Sequence, residues 1–147
     1  MSKVESVPQV NEVNRISSGT EFRGILTSSC DIRIDGYFEG ELSTAGKLVI
    51  GESGQLIGDV ICRSCDIWGS IQGKVIVRET FGLKKNGAIT GNVACQRISI
   101  EDGGTFNGSC KMIDENTFEN LTNNKKEQEN KEQETVFSQI TKTEIEI

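Results

Sequence analysis

The sequence predicts an all-β fold, a compact parallel β-helix (β-solenoid) of about six three-stranded coils with disordered termini. Three observations carry that prediction. A Gly-x-apolar unit recurs six times, apolar residues alternate with period two around each glycine, and the flanks are polar and lack the pattern.

The recurring glycines are Gly24, Gly40, Gly58, Gly73, Gly91 and Gly108, spaced 16, 18, 15, 18 and 17 residues apart. Two residues after them stand Leu26, Leu42, Val60, Val75, Val93 and Cys110; two before stand Phe22, Phe38, Leu56, Ile71, Ile89 and Phe106. A repeat of this kind outranks local propensity, because one unit cannot bury its apolar face except against its neighbours.

The alternation is clearest in Ile32-x-Ile34-x-Gly36-x-Phe38-x-Gly40-x-Leu42, and it returns from Leu48, from Phe81 and from Ile98. Period two is the strand signature. The step from the second apolar residue to the next glycine is two residues at Ile34–Gly36 and four at Ile50–Gly54. Both are even, so the inward face stays inward while a corner lengthens. A repeat of about 17 residues holds three short strands and three corners. Antiparallel hairpins would need two-residue turns such as Asn-Gly between every pair of long strands, and the repeat does not supply them. A left-handed coil shows a stricter six-residue period, which these spacings fit poorly. The solenoid should run from Ile16 to about Ile113, a stack about 25–30 Å long at about 4.8 Å per coil.

The flanks set the domain limits. Residues 1–15 should form a disordered amino-terminal tail, residues 16–121 the β-helix domain, and residues 122–147 a disordered polar carboxy-terminal tail. The last opens with the low-complexity run Thr-Asn-Asn-Lys-Lys-Glu-Gln-Glu. Val136, Phe137, Ile140, Ile145 and Ile147 restore apolar character at its end. They read either as part of a solubilising tail or as a partner-binding segment on a flexible tether.

Composition narrows the function. Among 147 residues there is no His, which removes the commonest general base and a common metal ligand. The net charge of −6 argues against binding duplex nucleic acid. No G-x-x-x-x-G-K-[ST] loop is present. No apolar run has the length of a membrane span, and the amino terminus has no secretory h-region. The five cysteines, Cys30, Cys62, Cys65, Cys95 and Cys110, are an odd number and fit free thiols in a reducing cytosol. An enzyme is therefore not expected, nor a cofactor or metal.

Individual motifs agree. Cys62-x-x-Cys65 has the spacing of half a zinc site but lacks a second close pair, so core thiols are the reading. Ser-Cys-Asp-Ile occurs at Ser29–Ile32 and at Ser64–Ile67, two residues out of step with the glycine register. The carboxylates Glu39 and Glu41 point outward by the alternation and form a solvated face. Trp68 falls outward beside Gly69, as a corner-packing side chain or a lateral contact between filaments.

The segment Ile16-Ser17-Ser18-Gly19-Thr20-Glu21-Phe22-Arg23-Gly24, with the combs Gly36–Leu42, Gly69–Val75 and Ile98–Gly108, resembles the bactofilins, a family of bacterial polymer-forming cytoskeletal proteins. The resemblance covers residues 16 to 113. It implies a right-handed, roughly triangular β-helix that stacks end to end into nucleotide-independent filaments. These would support cell shape, envelope growth or the localisation of partner proteins, with itself as first partner and cell-envelope or peptidoglycan-related proteins as others. The implied location is the cytoplasm, at most peripheral at the inner face of the cytoplasmic membrane. The membrane-touching peptide of many relatives is not matched: Val4, Val7 and Val10 are scattered among polar residues, and Lys3 is the only early basic one.

Solenoid physics points the same way. Two open end coils expose unpaired backbone over an apolar cross-section, and unlike ends that dock produce a growing polymer. The expected polymerisation residues are Ile16, Phe22 and Leu26 at one end and Phe106, Met112, Ile113 and Phe118 at the other. The rival reading is a non-polymerising β-solenoid adaptor that recruits a partner through its carboxy-terminal tail.

Overall fold

The computed structural model describes residues 13–122. The remainder of both expected tails lies outside the described residues. The chain divides into two units, Met1–Asp114 and Glu115–Ile147.

The first unit is the solenoid. Its strands are β1 (Val13–Ile16), β2 (Glu21–Ser28), β3 (Asp31–Ile34), β4 (Tyr37–Thr44), β5 (Lys47–Ile50), β6 (Gln55–Cys62), β7 (Ser64–Ile67), β8 (Ser70–Val77), β9 (Thr80–Leu83), β10 (Ala88–Cys95), β11 (Arg97–Ile100) and β12 (Thr105–Met112). Odd strands have four residues and even strands eight. The short strands stack in the order β1-β3-β5-β7-β9-β11 and the long ones in the order β2-β4-β6-β8-β10-β12. Every pairing is parallel and joins equivalents in successive coils. That is the expected β-solenoid, with six coils.

The three expected sides are built from two strands, because the long strand carries a glycine corner inside it. Gly40 has φ +136, a backbone state that L side chains rarely adopt. A Cβ there would also collide with the carbonyl of Gly24 one coil earlier. Pairing continues through the corner, with Gly40 opposite both Gly24 and Gly58. The recurring glycine is thus required twice over, by the sign of φ and by coil-to-coil contact.

The register arranges inward side chains in columns along the stack. One runs Ile16, Ile34, Ile50, Ile67, Leu83, Ile100; another runs Phe22, Phe38, Leu56, Ile71, Ile89, Phe106. In the inner coils both columns are buried. Each such side chain contributes about 1.5–3 kcal/mol through burial. Thr44 is the one buried polar residue among the described residues: its hydroxyl donates to the Cys30 carbonyl at 2.6 Å and accepts the Gly46 N–H at 3.0 Å.

The corners after the short strands hold two or four residues, such as 35–36 and 51–54, so the even-step expectation holds there. The corners after the long strands do not keep it. Arg63 alone separates β6 from β7, and Gln96 alone separates β10 from β11, where other coils use two residues. This odd step places Cys65 opposite Leu48. The glycine register therefore governs, and Ser29–Ile32 is offset from Ser64–Ile67 by two residues.

β1 begins at Val13, three residues before the expected limit at Ile16. The comb was hidden there because Asn14 holds the inward position that Ile32 fills in the next coil. Its amide donates to the Ser28 hydroxyl at 2.8 Å, which satisfies both polar groups at the end of the stack. In the second unit, residues 115–122 are helical, an element the sequence pattern did not predict.

Candidate functional site: the two end coils

β1 and β2 are the edge strands at the amino-terminal end of the two sheets, and β11 and β12 are the edges at the other. Among the described residues each end coil is therefore paired on one side, and its outer backbone groups face away from the stack. None of the four edge strands contains proline, one of the devices by which edges are blunted.

Burial follows the same division. At the amino-terminal end Ile16, Phe22 and Leu26 are half-buried, packed against the core on their inner side alone. The Phe22 ring stacks on Phe38 with centroids 5.0 Å apart and planes 6° from parallel, leaving its second face toward the end. At the other end Phe106 is half-buried and Met112 is 56% exposed. Ile113 and Phe118 are buried. Ile113 donates its N–H to the Cys95 carbonyl at 2.8 Å, and Phe118 lies on the helix of the second unit. Val136, Phe137, Ile140, Ile145 and Ile147 lie outside the described residues.

Three further residues of the last coil, part of the sequence comb, are absent from the expected polymerisation residues. Ile98, Ile100 and Cys110 stand in inward columns of the last coil, with Ile100 50% exposed and Cys110 exposed. The repeat register was enough to find them, since each lies one period beyond a buried equivalent (Phe81, Leu83 and Val93). On the outer face at the amino-terminal edge, Ile25 of β2 is 71% exposed.

The other candidates have structural roles. Cys62 and Cys65 both point inward across the single-residue corner at Arg63 and are fully buried. Burial, with the adjacent Cys62, pushes the Cys65 thiol well up, so it stays protonated. The C-x-x-C spacing thus results from a tight corner between two inward positions. Glu39 is exposed and accepts the Tyr37 phenol at 2.6 Å, which raises the phenol's pKa. Trp68 lies 38% exposed in a corner with the Lys84 ammonium 5.7 Å from its ring centroid. No group of three or more metal-ligating side chains is found among the described residues, and no helix there is long and apolar enough to cross a membrane.

Comparison with known proteins agrees with this architecture. No solved structure matches the chain. Two curated proteins of Myxococcus xanthus (strain DK1622) are similar. The chain is 30% identical to bactofilin BacP over 91 residues, 62% of this chain and 38% of that protein. It is 27% identical to bactofilin BacO over 97 residues, 66% of this chain and 77% of that protein. The chain thus spans well under half of BacP and about three quarters of BacO. The family model for bactofilins, described as polymer-forming cytoskeletal, matches residues 14–111, all of the solenoid but the first residue of β1 and the last of β12. The chain belongs to the bactofilin family.

Proposed function

We propose that this chain is a cytoskeletal scaffold whose solenoids stack through their end coils into filaments without nucleotide. The observation that carries the reading is the state of the end coils. Among the described residues both present open sheet edges above apolar columns that are buried in the inner coils and only partly buried or exposed at the ends. A second copy continuing the stack would pair the edges and cover Ile16, Phe22 and Leu26 at one end, and Ile98, Ile100, Phe106, Cys110 and Met112 at the other. Open edges of this kind invite such pairing. Membership of a polymer-forming cytoskeletal family supports the same reading.

Roles in cell shape, envelope growth or partner placement belong to this proposal, as do a cytoplasmic location and partners among envelope or peptidoglycan-related proteins. They rest on the family alone. The assignment of residues 16–121 as the polymerisation domain is part of it as well.

The test uses charge at the ends. Phe22→Arg and Ile100→Arg are compared with Gln72→Arg, which lies outward on an inner coil. Sedimentation should show the first two as folded, dispersed protein and the third as assembled as the parent. If both end variants pellet like the parent while circular dichroism shows intact β-structure, the end-coil assignment is wrong.

A further inference from the structure

The two end faces differ in chemistry, because two inward columns begin with a polar side chain and end with an apolar one. The first runs Asn14, Ile32, Leu48, Cys65, Phe81, Ile98. The second, in the same register, runs Ser28, Thr44, Cys62, Val77, Cys95, Met112. The carboxy-terminal end coil therefore presents Ile98, Ile100, Phe106 and Met112 with no oxygen or nitrogen in their side chains. The amino-terminal end coil presents Ile16, Phe22 and Leu26 together with Asn14 and Ser28.

The polar pair is bonded to itself and to the corner beside it. The Asn14 amide donates to the Ser28 hydroxyl at 2.8 Å, and that hydroxyl also accepts the Cys30 N–H at 3.0 Å. The Ser28 O–H itself is 3.4 Å from the Cys30 carbonyl, a long contact. Thr44, one coil further in, shows how the same position is satisfied under a covering coil. Its hydroxyl accepts the Gly46 N–H at 3.0 Å and donates at 2.6 Å to the Cys30 carbonyl of the preceding coil. Ser28 repeats the first of these bonds, to a residue two further on, and among the described residues no coil precedes it to supply the second. Asn14 is exposed. An amide has two N–H donors and a carbonyl acceptor, and the bond to Ser28 uses one donor. A docked coil would take the other groups out of water.

We propose that Asn14 and Ser28 are the specificity-determining residues of the amino-terminal end coil: a second copy is held there only in a register that brings hydrogen-bond partners to both side chains. The proposal rests on the stacking reading above. A polar group covered without a partner costs free energy, so a copy that docks out of register meets a penalty at this end. Selection of this kind works by making the wrong arrangements worse, at some expense to the right one. A single buried Asn fixes register in coiled coils in the same way. The amino-terminal end is thus the weaker and more selective face. The carboxy-terminal end draws its affinity from apolar burial and has no such filter.

The test compares the full chain with Asn14→Leu/Ser28→Val, whose new side chains match those that inner coils carry at Leu48 and Val77. Ser28→Thr and Asn14→Asp are measured beside it. Sedimentation across a concentration series gives the concentration at which each chain begins to pellet. Circular dichroism reports the β-structure of the dispersed chains, and image transforms of stained filaments give the sharpness of the axial repeat. The double variant should assemble at a concentration about tenfold lower than the parent, with a blurred repeat. Ser28→Thr keeps the hydroxyl and should match the parent in both. Asn14→Asp brings a carboxylate to the same face and should raise the pelleting concentration about tenfold or more, with its β-structure intact. If the folded double variant needs the parent's concentration or a higher one, or keeps the parent's sharp repeat, this inference is overturned while stacking survives. Should the double variant lose its β-structure, Asn14→Asp decides, and its pelleting like the parent overturns the inference. If the parent does not pellet at all, stacking fails and this inference with it.

Discussion

The Cβ direction of Gly40 is aimed at the carbonyl group of Gly24, one coil earlier, and an added methyl would collide with it. Gly24 has nearly the same φ, +142 against +136. Among the described residues no coil lies beneath it, and the nearest atoms to its Cβ direction belong to its own Phe22 ring, at 3.8 Å. The pair therefore separates the backbone requirement of the corner from the contact requirement of the stack.

Gly58→Ala, with both requirements broken, should lose about 3 kcal/mol or more in chemical unfolding. Gly24→Ala, with the φ requirement alone broken in the free chain, should lose about 1–2 kcal/mol. It should still fail to assemble, because the methyl occupies the place of the next coil's carbonyl. Unfolding curves and sedimentation of the two variants check both parts. A Gly24→Ala chain that pellets normally would mean that no coil docks in register at that end.

Thr44→Val tests the buried hydroxyl. Valine is present at the equivalent Val77, so shape is not the obstacle. The change leaves the Gly46 N–H without its partner and the Cys30 carbonyl with only the Ser28 hydroxyl at 3.4 Å, at a cost of about 1–3 kcal/mol. Urea unfolding should show the loss with an unchanged slope.

Phe38→Ala removes a fully buried ring and the partner on which Phe22 stacks. The expected loss is about 3–5 kcal/mol. Phe22→Ala should cost less, since that ring is covered on one side by the core, and the difference is read from the two unfolding midpoints.

Stability should be flat through neutral pH and fall in alkali. The Cys95 and Cys65 thiols are held above their ordinary value by burial, Cys95 to about 12. In the unfolded chain they ionise near pH 8.5, so above that pH the unfolded state loses protons that the folded state keeps. Stability is thus fully present below pH 8.5 and declines toward pH 12. Urea midpoints across that window should fall for the parent and fall less steeply for Cys95→Val, which matches Val77 in shape.

Much of the solenoid could be read from the glycines, because one residue type at one register position carries both the corner and the stack. The columns through Phe38, Leu42 and Ile34 followed from it. The single-residue corners at Arg63 and Gln96 did not, since polar corner residues leave no periodic signal and the step there is odd. Asn14 concealed the first strand by placing a polar side chain at an inward position. The helix over residues 115–122 was signalled by Asp114, a residue type favoured at helix starts. Phe118 and Leu121 gave too little apolar periodicity to lift it above the polar run that follows. Of the end coils, Phe22, Leu26, Phe106 and Met112 were legible from chain position. Ile98, Ile100 and Cys110 belong to the last repeat of the comb, so the same register places them at that end.

The most direct test of the account is electron microscopy of the negatively stained chain, purified in buffer free of nucleotide and metal, beside analytical sedimentation across a concentration series. Stacking through open end coils predicts long thin filaments and a fast-sedimenting species that grows with concentration. A uniform monomer at the highest concentration would contradict it and favour an adaptor whose ends are covered.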